Sequence, residues 1–157
     1  MKKENIKIIL TVILLIIIDQ LIKFLIVNGL SNGSDIIVIN NFFKFTYLTN
    51  TGAALGMLSS NTLGLIIVSI VLIWYVIKEI QRNNNKLNIL SLTLILSGAL
   101  GNLIDRLFRG YVIDYISFTL FKKEMPVFNF ADILITFGIC ILLYIIIKEG
   151  KNDKKSK

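Results

Sequence analysis

The chain contains no histidine, one cysteine and one proline among its 157 residues. Without histidine and without an evident cluster of metal ligands, paired carboxylates are the main remaining means of activating water for hydrolysis. The single cysteine, Cys140, excludes a disulfide within the chain and a cysteine-based metal site. Charged residues make up only 17% of the chain, so polar surface is scarce.

Apolar residues are abundant and occur in long runs. They form 55% of the chain, against about 45–50% in a soluble domain, and the mean hydropathy is +0.75. This pattern predicts one integral membrane domain covering residues 1–157, with spans at about 7–27, 62–80, 87–108 and 129–147. Each span approaches the ~20 residues that cross ~30 Å of hydrocarbon. The fourth does so only if Asn129 to Asp132 form its first helical turn.

Basic residues concentrate at one end of these spans. Four spans place both termini and the loop between spans two and three on one side of the membrane. On that side lysine and arginine exceed the acidic residues by the whole net charge of +7. The positive-inside rule therefore predicts cytoplasmic termini, including the basic tail 148–157. No basic stripe is interleaved with aromatic residues, so no nucleic-acid partner is expected.

The two segments on the opposite side are rich in strand-forming residues. Residues 36–49 read IIVINNFFKFTYLT and follow the turn signal Asn32-Gly33. The second segment contains YVIDYISF and VFNF, separated by a charged turn. These patterns predict a small extracytoplasmic sheet on a membrane all-α protein with four transmembrane helices. The alternative is ordinary loops with the aromatic content typical of membrane interfaces.

Several polar side chains interrupt the apolar runs, where a charge costs about 2.5–3.5 kcal/mol. Asp19 and Lys23 are four residues apart on the first helix and are predicted to pair, with substrate contact as the alternative. On the third helix the polar residues recur at helical spacing on one face: Asn102, Asp105, Arg106 and Arg109. We interpret that face as a polar network supporting a site.

Residues Asn50 to Gly56 read NTGAALG and combine an amide side chain with small residues. Small residues let backbone approach backbone or a ligand closely. Two interpretations stay open, namely tight packing and a substrate groove in which Asn50 supplies a hydrogen bond.

Two aspartates, Asp114 and Asp132, flank the second outer segment. Taken singly, Asp114 fits a surface charge and Asp132 a carboxylate near the helix N-cap Asn129. Two close carboxylates in a poorly solvated site share a proton, however. One then takes a proton from water while the other polarises the scissile carbonyl. Because a helix N-terminus favours negative charge, we expect Asp132 to act as the base and Asp114 as the acid.

The motifs occur in a fixed order across the four spans: Asp19 with Lys23, NTGAA, GNLIDR, VIDY and FNFAD. In this combination the chain resembles the bacterial lipoprotein signal peptidases (signal peptidase II) from about Ile8 to about Ile147. The resemblance implies an aspartyl endopeptidase of the bacterial cytoplasmic membrane. Such an enzyme removes the signal peptide from diacylglyceryl-modified prolipoproteins by cutting before the lipidated cysteine.

Matched motif by motif, the resemblance gives Asp114 and Asp132 the catalytic places. The family's other characteristic positions fall on Asp19, Lys23, Asn50, Gly52, Asn102, Asp105, Arg106, Asn129 and Ala131. It further implies an outward-facing β-cradle, no metal or other cofactor, and inhibition by the cyclic peptide globomycin. The expected partners are the lipidated substrate and membrane lipid, and the chain is expected to act as a monomer with its site toward the outer leaflet.

Three other classes compete with the peptidase. A small transporter or ion-conducting subunit would explain ionisable residues in spans, but its acids would lie near the midplane. A Mg²⁺-dependent lipid-phosphate enzyme would use carboxylates close in sequence, whereas Asp114 and Asp132 are well separated. A structural membrane subunit leaves the polar residues at the outer edge unexplained. Loss of activity on chelation with EDTA would contradict the metal-free peptidase.

Overall fold

Four helices form most of the protein, whose computed structural model describes residues 3–52 and 62–155. They are α1 (Lys3–Leu30), α2 (Thr62–Arg82), α3 (Lys86–Phe108) and α4 (Phe130–Lys155). Each contains a stretch long and apolar enough to cross a membrane, which confirms the four predicted spans. The last helix continues past the predicted span into the basic tail, because lysine and glutamate are good helix formers.

Helix α3 is the centre of the bundle. Its spanning window is 61% buried, against 6–22% for the other three helices, and it packs against α1, α2 and α4. Helix α4 approaches it closely because both carry glycine at the contact. A Cβ added at Gly98 would lie 2.3 Å from the carbonyl oxygen of Ala131, and one at Gly138 would lie 2.6 Å from that of Ser91. Small residues thus set the α3–α4 separation.

The predicted sheet is present as four antiparallel strands in the order β1-β2-β3-β4. The strands are β1 (Ile36–Ile39), β2 (Phe43–Asn50), β3 (Val112–Leu120) and β4 (Lys123–Glu124). Asn41, with φ of 57°, closes the hairpin between β1 and β2. The pairing of β2 with β3 joins the segment between α1 and α2 to the segment between α3 and α4. The rings of Phe43 and Phe118 stack across this strand pair with centroids 4.9 Å apart.

The sheet positions two of the predicted site residues. Asp114 lies opposite Leu48 in the β2–β3 register, and Asn50 at the end of β2 lies opposite Val112. Phe128, just before α4, exchanges backbone hydrogen bonds with Ile116, so the start of α4 is held beside β3. Of the predicted NTGAALG segment, Asn50 to Gly52 are described, and Ala53 to Gly56 lie outside the described residues.

Candidate active site

Asp114 and Asp132 come together where the sheet meets the start of α4. Asp114 lies within β3 and its side chain is almost fully buried, since the residue is 1% exposed. Asp132 lies in the first turn of α4 and is half-buried. The chain brings them together because Phe128 pairs with β3 immediately before α4 begins.

Asn129 caps helix α4, as the sequence predicts. Its Oδ1 accepts a hydrogen bond from the backbone N–H of Asp132 at 3.0 Å, and the backbone N–H of Asn129 donates to Asp132 Oδ2 at 3.2 Å. This reciprocal pair is a capping box, which satisfies two N–H groups and fixes the side chain of Asp132. Tyr115 adds a third contact, since its hydroxyl accepts from the N–H of Phe130 at 3.1 Å.

Two amide side chains connect the two carboxylates. Asn129 Nδ2 donates to Asp114 Oδ1 at 2.6 Å and to Asn102 Oδ1 at 3.2 Å. Asn102 Nδ2 in turn donates to Asp132 Oδ1 at 2.8 Å. Because each amide has one donor end and one acceptor end, these bonds fix the orientation of both amides.

Asn50 holds the other oxygen of Asp114. Its Nδ2 donates to Asp114 Oδ2 at 2.8 Å, and its Oδ1 accepts from the backbone N–H of Gly52 at 2.8 Å. Gly52 has φ of 99°, a conformation that residues with a Cβ rarely adopt. Glycine at this position therefore allows the turn that orients Asn50 toward Asp114.

A buried lysine lies behind the amides. Lys23 is 0% exposed, and its Nζ lies 2.9 Å from Asp19 Oδ2, 2.8 Å from Asp105 Oδ2 and 3.1 Å from Asn102 Oδ1. These three acceptors match the three N–H donors of an ammonium group. The contact with Lys23 holds the oxygen of Asn102 inward, so its amide nitrogen faces Asp132. The predicted Asp19–Lys23 pairing is confirmed.

Asp19 and Asp105 also accept hydrogen bonds from the backbone next to Asp132 and Asp114. Asp19 Oδ1 accepts from the backbone N–H of Ala131 in the first turn of α4, at 3.2 Å. Asp105 Oδ2 accepts from the backbone N–H of Ile113, one residue before Asp114, at 3.3 Å. A Cβ at Gly101 would lie 2.7 Å from Asp19 Oδ2, and Ala131 is 0% exposed, so both positions require small residues.

Two arginines complete the polar face of α3. Arg106 is half-buried, its Nη1 donates to the carbonyl oxygen of Asn102 at 3.4 Å, and its charge acts on Asp132 and Asp114. Arg109 forms an ion pair with Asp105. The expected polar network along this face is therefore present.

Gln20 belongs to this network but was not predicted from the sequence. Its Nε2 donates to Asp19 Oδ2, Asp105 Oδ1 and the carbonyl of Gly101 at 3.1–3.2 Å, and its Oε1 accepts from Arg109 at 3.1 Å. Gln20 thereby ties α1 to the polar face of α3. The signal was available, because an amide inside an apolar run needs a partner as much as a charge does.

The two carboxylates differ in environment. Burial disfavours the charged form of Asp114 and raises its pKa from 3.8 to about 6. The hydrogen bond from Asn50 lowers this pKa, whereas the nearby charge of Asp132 raises it further. Asp132 is less buried and accepts two N–H donors, from the Asn102 side chain and from the backbone of Asn129. The described residues contain no group of three or more His, Cys, Asp or Glu side chains able to hold a metal ion.

These features define an integral membrane enzyme, and comparison with known structures agrees. The chain is similar to two solved structures of bacterial membrane enzymes, each at 30% sequence identity. The first gives a TM-score of 0.85 and covers 93% of this chain and 90% of that chain. The second gives a TM-score of 0.82 and covers 90% and 93%.

The family follows from sequence comparison. Residues 11–148 match the family described as signal peptidase (SPase) II. Proteins named lipoprotein signal peptidase from Clostridium tetani and Clostridium acetobutylicum are each 43% identical, over 94% of this chain and 97% and 98% of those proteins. The chain belongs to the signal peptidase II family and is a membrane protease. The resemblance of its motifs is confirmed, and the transporter alternative has no support.

Proposed function

We propose that this protein is the aspartyl endopeptidase that removes the signal peptide from diacylglyceryl-modified prolipoproteins, cutting before the lipidated cysteine. The single observation that carries the residue assignment is the pair of carboxylates, Asp114 and Asp132, linked through Asn129 and Asn102. The names of the relatives from Clostridium tetani and Clostridioides difficile support the substrate class.

The different environments of the two aspartates support their separate roles. Asp132 takes a proton from water, whose oxygen attacks the carbonyl carbon, while protonated Asp114 gives its proton to the carbonyl oxygen. As the tetrahedral intermediate collapses, Asp132 returns a proton to the departing amine of the cysteine and Asp114 recovers its own. Asn50 and Asn129 keep both oxygens of Asp114 in place through these exchanges.

The remaining predicted site residues support this pair. Lys23, Asp19 and Asp105 form the buried charge cluster that orients Asn102, while Ala131 places the start of α4 against Asp19. Arg106 supplies positive charge near both catalytic carboxylates as negative charge moves between them. No group in this scheme comes from a metal, a cofactor or a second chain, so we propose that the monomer is the active unit.

The location of the site fits a lipidated substrate. We propose that both termini are cytoplasmic and that the sheet, with Asp114 and Asp132, faces the outer leaflet of the bacterial cytoplasmic membrane. The basic residues at the opposite ends of the helices support this orientation. A substrate anchored by its signal helix and its acyl chains then reaches the site by lateral diffusion, without extraction from the bilayer.

A gel-shift cleavage assay tests the function. Purified protein in detergent receives a diacylglyceryl-modified prolipoprotein or its unlipidated form, and we expect cleavage of the lipidated form alone. Asp114→Asn and Asp132→Asn should each reduce turnover by orders of magnitude. Asp35→Asn is the matched control, because Asp35 is also an acid of the sheet end but pairs with Lys44 at the surface.

The outcomes separate the parts of the proposal. Cleavage that survives both catalytic substitutions would contradict the aspartate pair, and equal cleavage of the unlipidated substrate would contradict the lipid requirement. Loss of activity with EDTA would contradict the metal-free mechanism.

A further inference from the structure

A cavity lies at the opposite end of the bundle from the aspartates. It is an open groove with a volume of about 540 Å³, lined by α1, α2, the loop after α2, and α3. On α1 the lining residue nearest to Asp19 is Ile13, six residues or about 9 Å along the helix, and no lining residue belongs to the candidate active site. The cavity is therefore separate from the catalytic centre.

The lining changes from polar to apolar along the helix axis. The polar part consists of Glu4, Asn5, Gln81, Asn83 and Asn84, all at the helix ends. The deeper part is formed by isoleucine, valine and leucine side chains, ending near Ile13 and Leu96. From Glu4 to Ile13 the groove is about 14 Å long, close to the ~15 Å depth of one leaflet. This polarity profile is that of a lipid molecule in one leaflet.

The deeper part of the groove presents only aliphatic side chains, as an acyl chain requires. Its two side walls belong to α1 and α2, which both pack on α3, so a chain lying there fills the space between them.

The charge at the polar end identifies the headgroup. Glu4 is the one charged residue in the described lining, and it forms no ion pair with the side chains described in this structure. A carboxylate favours an N–H donor with positive charge. Lys7 and Arg82, at the same end of the bundle, supply the positive charge that attracts a phosphate.

We propose that this groove is a binding site for a phospholipid with a primary ammonium headgroup. One acyl chain lies between α1 and α2, the ammonium group contacts Glu4, and the phosphate faces the basic residues at the helix ends. The bound lipid bridges two helices that otherwise meet mainly through α3. The site is independent of the peptidase chemistry.

Native mass spectrometry of the purified full chain in detergent tests the site, with phosphatidylethanolamine and phosphatidylglycerol as the two probes. We expect phosphatidylethanolamine to bind at least tenfold more tightly. Glu4→Gln should reduce that preference at least tenfold. Glu79→Gln, which removes an acid near the same end but outside the lining, should leave it unchanged.

A second pair of variants tests the acyl-chain position. Ile77→Trp should fill the groove and weaken the binding of both lipids at least tenfold. Ile13→Trp, on the opposite wall, should have the same effect. Val71→Trp is the matched control, because Val71 lies on α2 outside the groove and is 60% exposed. Thermal midpoints compared with the wild type show that each variant is folded.

Three results would overturn the proposal. Lipid binding unaffected by both groove-filling substitutions would place the lipid elsewhere. Tighter binding of phosphatidylglycerol that does not respond to Glu4→Gln would exclude the ammonium headgroup. A dimer that dissociates on Ile77→Trp would assign the groove to a second copy of the chain.

Discussion

Asn129 combines two tasks in one side chain. Its Oδ1 and backbone N–H cap α4, whereas its Nδ2 bridges Asp114 and Asn102. Asn85 provides a natural comparison, because its Oδ1 caps α3 by accepting from Leu87 N–H at 2.9 Å. The two asparagines therefore share the capping role, and only Asn129 contacts the carboxylate pair.

Replacing each of these asparagines by alanine separates capping from catalysis. Asn129→Ala and Asn85→Ala should each cost about 1 kcal/mol of stability through loss of the cap. Asn129→Ala should in addition reduce turnover at least tenfold, because Asp114 loses an N–H donor, while Asn85→Ala should retain turnover. Thermal unfolding and the cleavage assay, run on the same preparations, measure both effects. Similar turnover in the two variants would leave Asn129 with a capping role alone.

The raised pKa of Asp114 makes a prediction about pH. As the acid, Asp114 must be protonated, and the protonated fraction falls as pH rises through its pKa of about 6. Turnover should therefore decline as the pH becomes alkaline. The apparent pKa of this decline belongs to the two coupled carboxylates together. Asn50→Ala removes a hydrogen bond that lowers the pKa of Asp114, so the alkaline limb should move to higher pH.

The control for this shift is Thr49→Ala, an exposed neighbour on the same strand. The measurement is kcat/KM of the lipidated substrate from pH 4 to 9 for all three proteins. An alkaline limb that is absent, or that stays at the same pH in Asn50→Ala, would contradict Asp114 as the acid.

Lys23 contrasts with Lys44, since both form ion pairs but in different surroundings. Lys23 is fully buried between Asp19 and Asp105, whereas the Lys44 side chain is 30% exposed where it pairs with Asp35. Lys23→Met should cost about 3–5 kcal/mol of stability because it leaves buried carboxylates unpaired. Lys44→Met should cost at most about 1 kcal/mol. Thermal unfolding in detergent measures the loss of stability in each variant. Equal losses would contradict the larger contribution expected from the buried ion pairs.

At the scale of elements, the contact between α3 and α4 determines where Asp132 lies. Gly98 on α3 faces the carbonyl of Ala131, one residue before Asp132. Glycine here lets the start of α4 sit directly on α3, where Asn102 reaches Asp132. The small-residue contact therefore also fixes the position of the helical turn that carries Asp132.

Adding one methyl group at this contact should disturb both stability and activity. Gly98→Ala places a Cβ 2.3 Å from a backbone oxygen, so we expect a loss of about 1–3 kcal/mol and a marked fall in turnover. Gly29→Ala is the matched control, since a Cβ there meets nothing within 4 Å and alanine favours helix. Thermal unfolding and cleavage assays check both variants. Normal turnover in Gly98→Ala would show that α4 tolerates displacement.

At the scale of the whole molecule, the two ends of the bundle differ in character. The sheet and the carboxylate pair lie at one end, and the basic loop between α2 and α3 lies at the other with both termini. The proposed cytoplasmic location of the termini would make the sheet end face outward and would place the proposed lipid groove in the inner leaflet.

Cysteine labelling in intact cells tests this orientation. In a Cys140→Ser background, Ser34→Cys at the sheet end should react with a membrane-impermeant maleimide, and Asn84→Cys in the α2–α3 loop should react only after lysis. Both positions are exposed, so accessibility to the reagent depends on the side of the membrane. The reverse labelling pattern would overturn the proposed topology.

Much of this organisation could be predicted from local sequence. Long apolar runs specify the spans, the Asp19–Lys23 spacing predicts their pairing, and Asn129 before the last run predicts the cap. Other features depend on contacts between distant segments. Gln20 joins α1 to α3, and the oxygen of Asn102 faces Lys23 rather than Asp132. Neither orientation follows from spacing along one helix.

Local sequence was enough to predict the membrane-spanning class, the strand-forming segments between the helices and the two candidate aspartates. It could do so because hydropathy, helical spacing and capping act over a few neighbouring residues. It was not enough to predict how Asp114 and Asp132 are linked, which of them is buried, or how the amides are oriented. Those properties come from β2–β3 pairing and the close α3–α4 contact, which join segments far apart in the chain.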